Sequence, residues 1–174
     1  PLSTLRQLPE LRFRSSRISD ISPLSGLRNL QVLDLWRNSI SDISPLRKLT
    51  NLRELNLQAN RITDISPLVS NSGIGEGDVI DLRGNPLNDA AYDLHIPALQ
   101  ERGAKLLFNP KPSGDIVTFP DKNLEKAVRE ALVILERWRP LYESDMPELR
   151  ELNAWYREVA DLAGIERCTN LQSL

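Results

Sequence analysis

The side chains able to do acid–base or nucleophilic chemistry are few in this sequence, and they lie far apart. His95 is the only histidine and Cys168 the only cysteine among 174 residues. One cysteine cannot form an internal disulfide or a thiolate metal site, and one histidine excludes a histidine-rich zinc or iron site. His95 is near Asp93 without a serine or cysteine in register, so we interpret it as a surface or packing residue. The sequence therefore predicts that the protein is not an enzyme.

Four aspartates are the second candidate for chemistry, because they recur at one position of a repeated unit. Calcium takes several carboxylate oxygens, so a calcium site along this series is one interpretation. Each aspartate has no better ligand than serine nearby, however, and the capping of a turn explains its presence. We therefore predict a structural role and no bound metal for Asp20, Asp42, Asp64 and Asp161.

A glycine-rich segment from Gly73 to Gly77 has the spacing of a phosphate-binding loop. No strand–loop–helix context surrounds this segment, and Glu76 and Asp78 would repel a phosphate. We interpret the segment as part of an irregular repeat, and the sequence predicts no cofactor.

The charge and hydropathy of the chain exclude further functional classes. The formal net charge is −2, whereas a nucleic-acid-binding protein usually presents a basic face. The sequence contains no run of about eighteen apolar residues, so we expect no membrane insertion. Residues 1–5 lack the basic start and apolar core of a signal peptide. We therefore expect neither a nucleic acid nor a membrane as the partner.

A repeat with a period of 22 residues organises the first part of the chain. Residues 5–26, 27–48 and 49–70 align without gaps, and the tail of each contains the string Asp-Ile-Ser-Pro-Leu. Such self-similarity indicates a stack of structural units, each of which buries its apolar edge only against its neighbours.

The spacing within one repeat predicts how the chain runs. Leu33 and Leu35 alternate as in a strand whose two leucines point inward. Asn38 follows at the turn, where an inward amide can satisfy backbone groups of a neighbouring coil that a leucine would leave unpaired. Asn60 and Asn85 take the same place in later copies.

This pattern resembles the leucine-rich repeat family, in the 22-residue bacterial form best known from internalins. The resemblance implies an α/β fold, a leucine-rich repeat solenoid with a parallel concave sheet, a 3₁₀ or helical convex side and helical caps. It also implies a protein-interaction module of a bacterium, secreted or exposed at the cell surface.

The same reading divides the chain into two parts. Residues 1–108 contain the repeats and a C-terminal cap whose helix begins at Asn88, and residues 109–117 have the composition of a linker. Residues 118–174 resemble a helical N-terminal cap, with Asp121 as the N-cap residue, followed by a partial repeat block. The cap helix is predicted from apolar residues at helical spacing, namely Leu124, Ala127, Val128, Ala131, Leu132 and Leu135.

Both ends of the chain read as unfinished coils, since Leu174 corresponds to Leu33 and Pro1 to Pro23 or Pro45. We therefore expect a piece of a longer protein with successive repeat blocks. An open coil exposes a parallel strand edge, so head-to-tail contacts between copies are the sharper hypothesis. A structural spacer between repeat blocks is the alternative function.

The outward residues of the concave sheet are the candidate partner-binding site. Trp36 is the unusual member, because tryptophan and arginine are the types most enriched at binding hot spots. The alternative is that Trp36 packs over the aliphatic stem of Arg14 or Arg37. The predicted partner-binding residues are Arg12, Arg14, Asp34, Trp36, Arg37, Glu54, Asn56, Gln58, Asp81 and Arg83.

Four further side chains have predicted packing roles. Phe13 and Cys168 take positions that are inward leucines in other repeats, so both should be core residues. Trp155 and Tyr156 stand at concave positions of the second block, and we expect them to pack against the cap or the preceding domain.

Overall fold

The chain forms two compact units, Pro1–Lys111 and Pro112–Leu174, in a computed structural model that describes residues 7–132, 134 and 140–173. Among these described residues, no helix is both long and apolar enough to cross a membrane. The limits of the linker and of the two repeat blocks remain predictions, and the expected unfinished coils at Pro1 and Leu174 involve positions outside the described residues.

Five short parallel strands form one sheet in the first unit, side by side in chain order. Leu33 pairs with Leu11 on one side and with Leu55 on the other, so each coil repeats the path of the one before it. The parallel sheet implied by the repeats is therefore confirmed. The strands are β1 (Glu10–Arg12), β2 (Val32–Asp34), β3 (Glu54–Asn56), β4 (Val79–Asp81) and β5 (Lys105–Leu107).

The opposite side of each coil contains a short helical turn that begins at a Ser-Pro pair. Ser22–Gly26 and Ser44–Lys48 are 3₁₀ helices, and Ser66–Val69 forms helix α1. Proline suits the start of these turns, because its φ is fixed and an N–H there would have no partner within the turn. The predicted structural role of the aspartates is confirmed from the position before the N-cap, since the first serine N–H donates at 2.8 Å to the aspartate two residues earlier, from Ser22 to Asp20, Ser44 to Asp42 and Ser66 to Asp64.

The core of the first unit is a stack of leucines and isoleucines from successive coils. Leu35 and Leu57 are fully buried, because a coil lies on each side of them. Phe13 takes the equivalent position but is 44% exposed, so its assignment to the core is wrong. In the described part of the chain, a coil covers Phe13 on one side only.

A helical segment covers the last coil of the first unit. The Asn88 side chain accepts a hydrogen bond from the Ala91 N–H at 2.8 Å, which confirms the predicted start of this segment. Residues 91–95 form one π-helical turn that continues into helix α2 (Ile96–Glu101). Gly103 follows with a φ of +88°, the left-handed conformation that ends many helices.

The second unit contains one longer helix and a small sheet. Helix α3 (Lys122–Ala131) ends before Leu135, which was predicted to continue it and lies outside the described residues. Strands β6 (Ile116–Val117) and β7 (Leu141–Tyr142) pair antiparallel. Ile116 and Val117 fall within the segment predicted as a linker.

The remaining elements of the second unit are short. Glu143–Glu148 and Ile165–Arg167 are 3₁₀ helices, and Glu151 pairs with Ser173 in a single parallel bridge. Cys168 is 5% exposed and its Sγ lies 3.8 Å from Met146 Sδ, which confirms its place in the core. Burial raises the pKa of the Cys168 thiol, so this side chain is a poor nucleophile.

Asp121 joins the helix to the repeat that follows it. One carboxylate oxygen accepts the N–H groups of Asn123 at 2.8 Å and Leu124 at 3.0 Å, which confirms the predicted N-cap. The other oxygen accepts the N–H groups of Ala160 at 2.7 Å and Asp161 at 3.1 Å. A single side chain thus connects the start of α3 to a loop about forty residues further on.

Candidate protein-binding face

The outward side chain at the end of each central strand fixes the turn that follows it. Asp34 accepts the Trp36 N–H at 3.1 Å, and Asn56 accepts the Gln58 N–H at 3.0 Å. Asp81 accepts the Arg83 N–H at 3.1 Å in the same way. These three predicted partner-binding residues therefore have a structural role, because they hold the backbone of the next outward residue in place.

Two arginines neutralise the two aspartates among these residues, Asp34 and Asp81. Arg14 Nε lies 2.7 Å from Asp34 Oδ2 and comes from the preceding coil. Arg83 binds its own coil's Asp81 through two bonds, of 3.0 Å from Nε and 2.6 Å from a terminal nitrogen, and this carboxylate raises the pKa of Arg83. Asp34 and Asp81 are buried, so the acidic group left exposed on the central strands is Glu54. Arg12 lies at the edge of the face, paired with Glu10.

The residue that follows Trp36, Gln58 and Arg83 adopts the left-handed conformation in the coils of β2, β3 and β4. The φ angles are +55° at Arg37, +55° at Ala59 and +69° at Gly84. Glycine has the least difficulty in this conformation, and side chains other than Asn and Asp rarely adopt it. The backbone turn therefore gives no reason for an arginine at position 37.

The outward residues surround a shallow groove along the sheet. Its volume is about 310 Å³, and side chains from all five strands line it. Val32, Val79 and Leu107 contribute apolar surface, while Arg14, Glu54 and Asn56 contribute polar groups. Trp36 is half-buried and belongs by register to the same column as Arg14, Gln58 and Arg83. Six of the predicted residues line the groove, namely Arg12, Arg14, Asp34, Glu54, Asn56 and Asp81, whereas Trp36, Arg37, Gln58 and Arg83 lie beyond the ends of the strands and do not line it.

A ladder of asparagines holds this face in register from behind. Asn60 Oδ1 accepts the Ile40 N–H at 3.0 Å, and its Nδ2 donates at 3.0 Å to the carbonyls of Leu35 and Leu57. Asn38 and Asn85 make equivalent bonds in their own coils. The predicted role of the inward asparagine is confirmed, since each amide connects its own coil to the preceding one.

The remaining candidates for chemistry are not brought together. Among the described residues, no group of three or more histidine, cysteine or acidic side chains is placed to hold a metal ion. His95 Nδ1 lies 3.8 Å from Asp64 Oδ1 without forming a hydrogen bond. In the glycine-rich segment, Gly75 donates its N–H to Asp78, and the buried Asp78 also binds Arg53 at 2.9 Å. This segment is therefore packed against protein groups of its own unit.

Two exposed aromatic residues differ from expectation. Trp155 is 74% and Tyr156 98% exposed, and the two rings contact each other edge to face at 6.4 Å. The prediction that they pack against the cap is therefore wrong. Asn153 accepts the Trp155 N–H at 3.1 Å, as Asp34 does for Trp36, and this turn directs the following side chains outward. An asparagine two residues before Trp155 was the signal available in the sequence.

Comparisons with known proteins agree with this architecture. A family model described as leucine-rich repeats in two copies matches residues 6–44 and 28–70. Internalin C2 from Listeria monocytogenes is similar in structure, with 31% sequence identity and a TM-score of 0.52, over 62% of this chain and 45% of its own. An internalin (inlF) from the same species aligns with 99% of this chain and 61% of its own at 19% identity and a TM-score of 0.39.

This chain therefore spans about half the length of these internalins. No curated protein sequence matched it. The matched repeats, together with the parallel sheet and short helical turns, show that residues 6–70 are leucine-rich repeats and that this chain is similar to bacterial internalins.

Proposed function

We propose that this chain is a non-catalytic protein-interaction module that binds a partner on the concave face of its first unit. The observation that carries the proposal is the open groove of about 310 Å³ lined by all five strands. A repeat fold presents an extended surface of this kind, while its core is held by residues on the other side of the sheet. The fold alone does not establish the function, so the proposal rests on the side chains of the face.

The proposed contact residues differ in the way they would act. Trp36, Gln58 and Arg37 are outward and are not needed to hold the backbone turns, so they can contact a partner directly. Asp34 and Asp81 orient their arginines and belong to the site as positioning residues. Arg12, Arg14, Glu54, Asn56 and Arg83 complete the proposed set.

A random linear-peptide library displayed on phage tests this proposal. The immobilised full chain should enrich peptides that lose binding in the double variant Trp36→Ala/Gln58→Ala. The matched control is Trp155→Ala, which removes an exposed tryptophan from the corresponding turn of the second unit. If no enriched peptide depends on Trp36 and Gln58, or if Trp155→Ala abolishes binding equally, the concave face is not the binding site.

Two further expectations, on the location of the protein and on the association of its copies, remain proposals. A secreted or cell-surface location follows from the resemblance to internalins, and fractionation of the source bacterium with an antibody would test it. Head-to-tail association of copies predicts a mass that rises with concentration in light scattering. A constant monomer mass would exclude it.

A further inference from the structure

We propose that the partner segment bound on the concave face is acidic and lies along an arginine-rich rim at the carboxyl ends of the strands. This inference rests on the proposed function and adds the chemistry of the partner. The rim is defined as residues 14–17, 36–39, 58–61 and 83–86, four residues from each of four coils. It contains five arginines and no aspartate or glutamate, in a chain whose formal net charge is −2.

The five arginines fall into two classes. Arg14 and Arg83 are held by the buried carboxylates of Asp34 and Asp81, so their charge is balanced within the fold. The other three are exposed, and none of the described carboxylates forms an ion pair with them. These three are Arg17, Arg37 and Arg61. The rim therefore has about three uncompensated positive charges.

The coil geometry places these charges close together. The Arg37 N–H donates to the Gln58 carbonyl at 2.9 Å, and the Arg61 N–H donates to the Ile40 carbonyl at 2.8 Å. Neighbouring coils bonded in this way are about 4.8 Å apart. Arg17 and Arg61 occupy the same position in coils two apart, so roughly 10 Å separates their backbones, with Arg37 on the coil between them.

The backbone conformation gives no structural reason for two of these arginines. Arg17 and Arg37 have φ angles of +58° and +55°, in the left-handed region that disfavours most side chains. Ala59 and Gly84 make the same turn as Arg37 with no charge at all. A strained conformation retained with a charged and exposed side chain indicates a role outside the fold.

The surroundings favour a short acidic peptide segment over a nucleic acid. Asp20, Asp42 and Asp64 form an acidic row only three residues beyond the Arg17 and Arg61 positions, and this row would repel a long polyanion. Trp36 lies within the rim and offers an apolar contact to an aliphatic side chain of such a segment. Arginine pairs well with carboxylates through its planar fork of donors. The fitting partner is a segment with several carboxylates and at least one apolar side chain.

Fluorescence anisotropy with defined peptides tests this assignment. The probe is a labelled peptide of alternating glutamate and serine with one central leucine, and the comparison peptide has lysine in place of glutamate. The intact chain should bind the glutamate peptide alone, at least about tenfold more weakly at about 500 mM than at about 50 mM NaCl. Arg37→Glu/Arg61→Glu should weaken binding at least about tenfold.

A charge-matched variant controls for the change in net charge. Arg28→Glu/Lys48→Glu changes the net charge by the same amount, at exposed positions outside the rim. It should change the affinity less than about twofold. Equal loss in both variants, or absence of binding to the glutamate peptide, overturns the assignment. Tighter binding of heparin or single-stranded DNA than of the peptide also overturns it.

The peptide library separates this inference from the proposed function. Enriched peptides that depend on Trp36 but contain no excess of acidic residues would leave the concave face as the binding site and refute the acidic partner. Enriched acidic peptides that lose binding in Arg37→Glu/Arg61→Glu support both.

Discussion

The Arg14 guanidinium and the Asp34 carboxylate form an ion pair between adjacent coils, with 2.7 Å between Nε and Oδ2. The other carboxylate oxygen of Asp34 accepts the Trp36 N–H. Asp34 thus orients an arginine of one coil and the tryptophan turn of the next. The arrangement makes this buried side chain a determinant of the face that a partner would meet.

We predict that Asp34→Asn is tolerated and Asp34→Ala is not. The amide of asparagine can still accept the Trp36 N–H, as Asn56 does for Gln58 in the next coil. Alanine leaves that N–H unpaired, which should reduce the free energy of unfolding by about 1–3 kcal/mol. Asp34→Asn loses only the ion pair to the half-exposed Arg14, which should change the free energy of unfolding by less than about 1 kcal/mol. Hydrogen-exchange mass spectrometry of residues 30–40 measures how much each variant lowers the protection of this coil. Equal effects of Asp34→Asn and Asp34→Ala would contradict the prediction.

A second prediction is that Asn60→Ala destabilises the first unit by about 3 kcal/mol or more. The variant leaves the Ile40 N–H without its acceptor at 3.0 Å, and it removes one of the two asparagine donors from each of the Leu35 and Leu57 carbonyls, which keep Asn38 and Asn85. Asn60→Asp should also destabilise, because a carboxylate can accept from Ile40 but cannot donate to the carbonyls. Urea unfolding followed by circular dichroism measures both.

The control for the asparagine ladder is Asn51→Ala. Asn51 is exposed, and its side chain donates one bond, of 2.8 Å, to the Arg28 carbonyl. Its loss should reduce the free energy of unfolding by less than about 1 kcal/mol. If Asn51→Ala and Asn60→Ala unfold at the same urea concentration, the ladder does not hold the coils together.

A third prediction concerns Asp121, whose two carboxylate oxygens serve different elements. Asp121→Ala should accelerate amide exchange both at the start of α3 and at Ala160. Asp121→Ser should restore protection of Leu124 alone, because a serine hydroxyl can cap the helix but cannot reach both groups. Equal exchange at Ala160 in the wild type and Asp121→Ser would show that the second pair of bonds has no effect.

The period of 22 residues was sufficient to predict the parallel sheet, the helical turns and the asparagine ladder. Each of these features follows from a local spacing that recurs, so all three copies of the pattern predict the same structure. The ion pair from Arg14 to Asp34 was not predictable from one repeat, because only the stacking of coils shows which outward side chains become buried. The expected burial of Phe13 was wrong for a related reason, because it depends on a neighbouring coil.

The second unit was harder to predict, because its contacts join segments without a shared pattern. Strands β6 and β7 are 2 residues long each and pair with each other although helix α3 separates them along the chain. Trp155 and Tyr156 were expected to pack against the cap or the preceding domain. The turn at Asn153 decides their exposure, and turn geometry outweighs residue type there.

A fourth prediction is that acid removes a contribution of Asp64 to stability. Hydrogen bonds from the Ser66 amide and then from its hydroxyl lower the Asp64 pKa, with smaller effects of His95 and Arg47. Because the folded-state pKa is the lower one, the contribution is complete above the unfolded pKa of about 4 and is lost as the pH falls through the folded pKa. The stability advantage of wild type over Asp64→Asn should therefore shrink between about pH 6 and about pH 2.

Thermal unfolding of both proteins across this range measures the difference. Ser66→Ala provides an intermediate case, since it removes the 2.7 Å bond from the hydroxyl and keeps the 2.8 Å bond from the amide. Parallel loss of stability in wild type and Asp64→Asn would mean that Asp64 titrates equally in the folded and unfolded chain.

A fifth prediction distinguishes packing from ligand binding in the glycine-rich segment. A Cβ added at Gly73 would lie 1.9 Å from the Thr50 carbonyl oxygen, a backbone atom that cannot move alone. Gly73→Ala should therefore destabilise the first unit by about 3 kcal/mol or more. Gly26→Ala is the control, because a Cβ there meets no atom within 4 Å and restricts the unfolded chain, which should stabilise by up to about 1 kcal/mol. Urea unfolding compares the two. An unchanged stability of Gly73→Ala would refute the close contact, and the segment would then be open to a ligand.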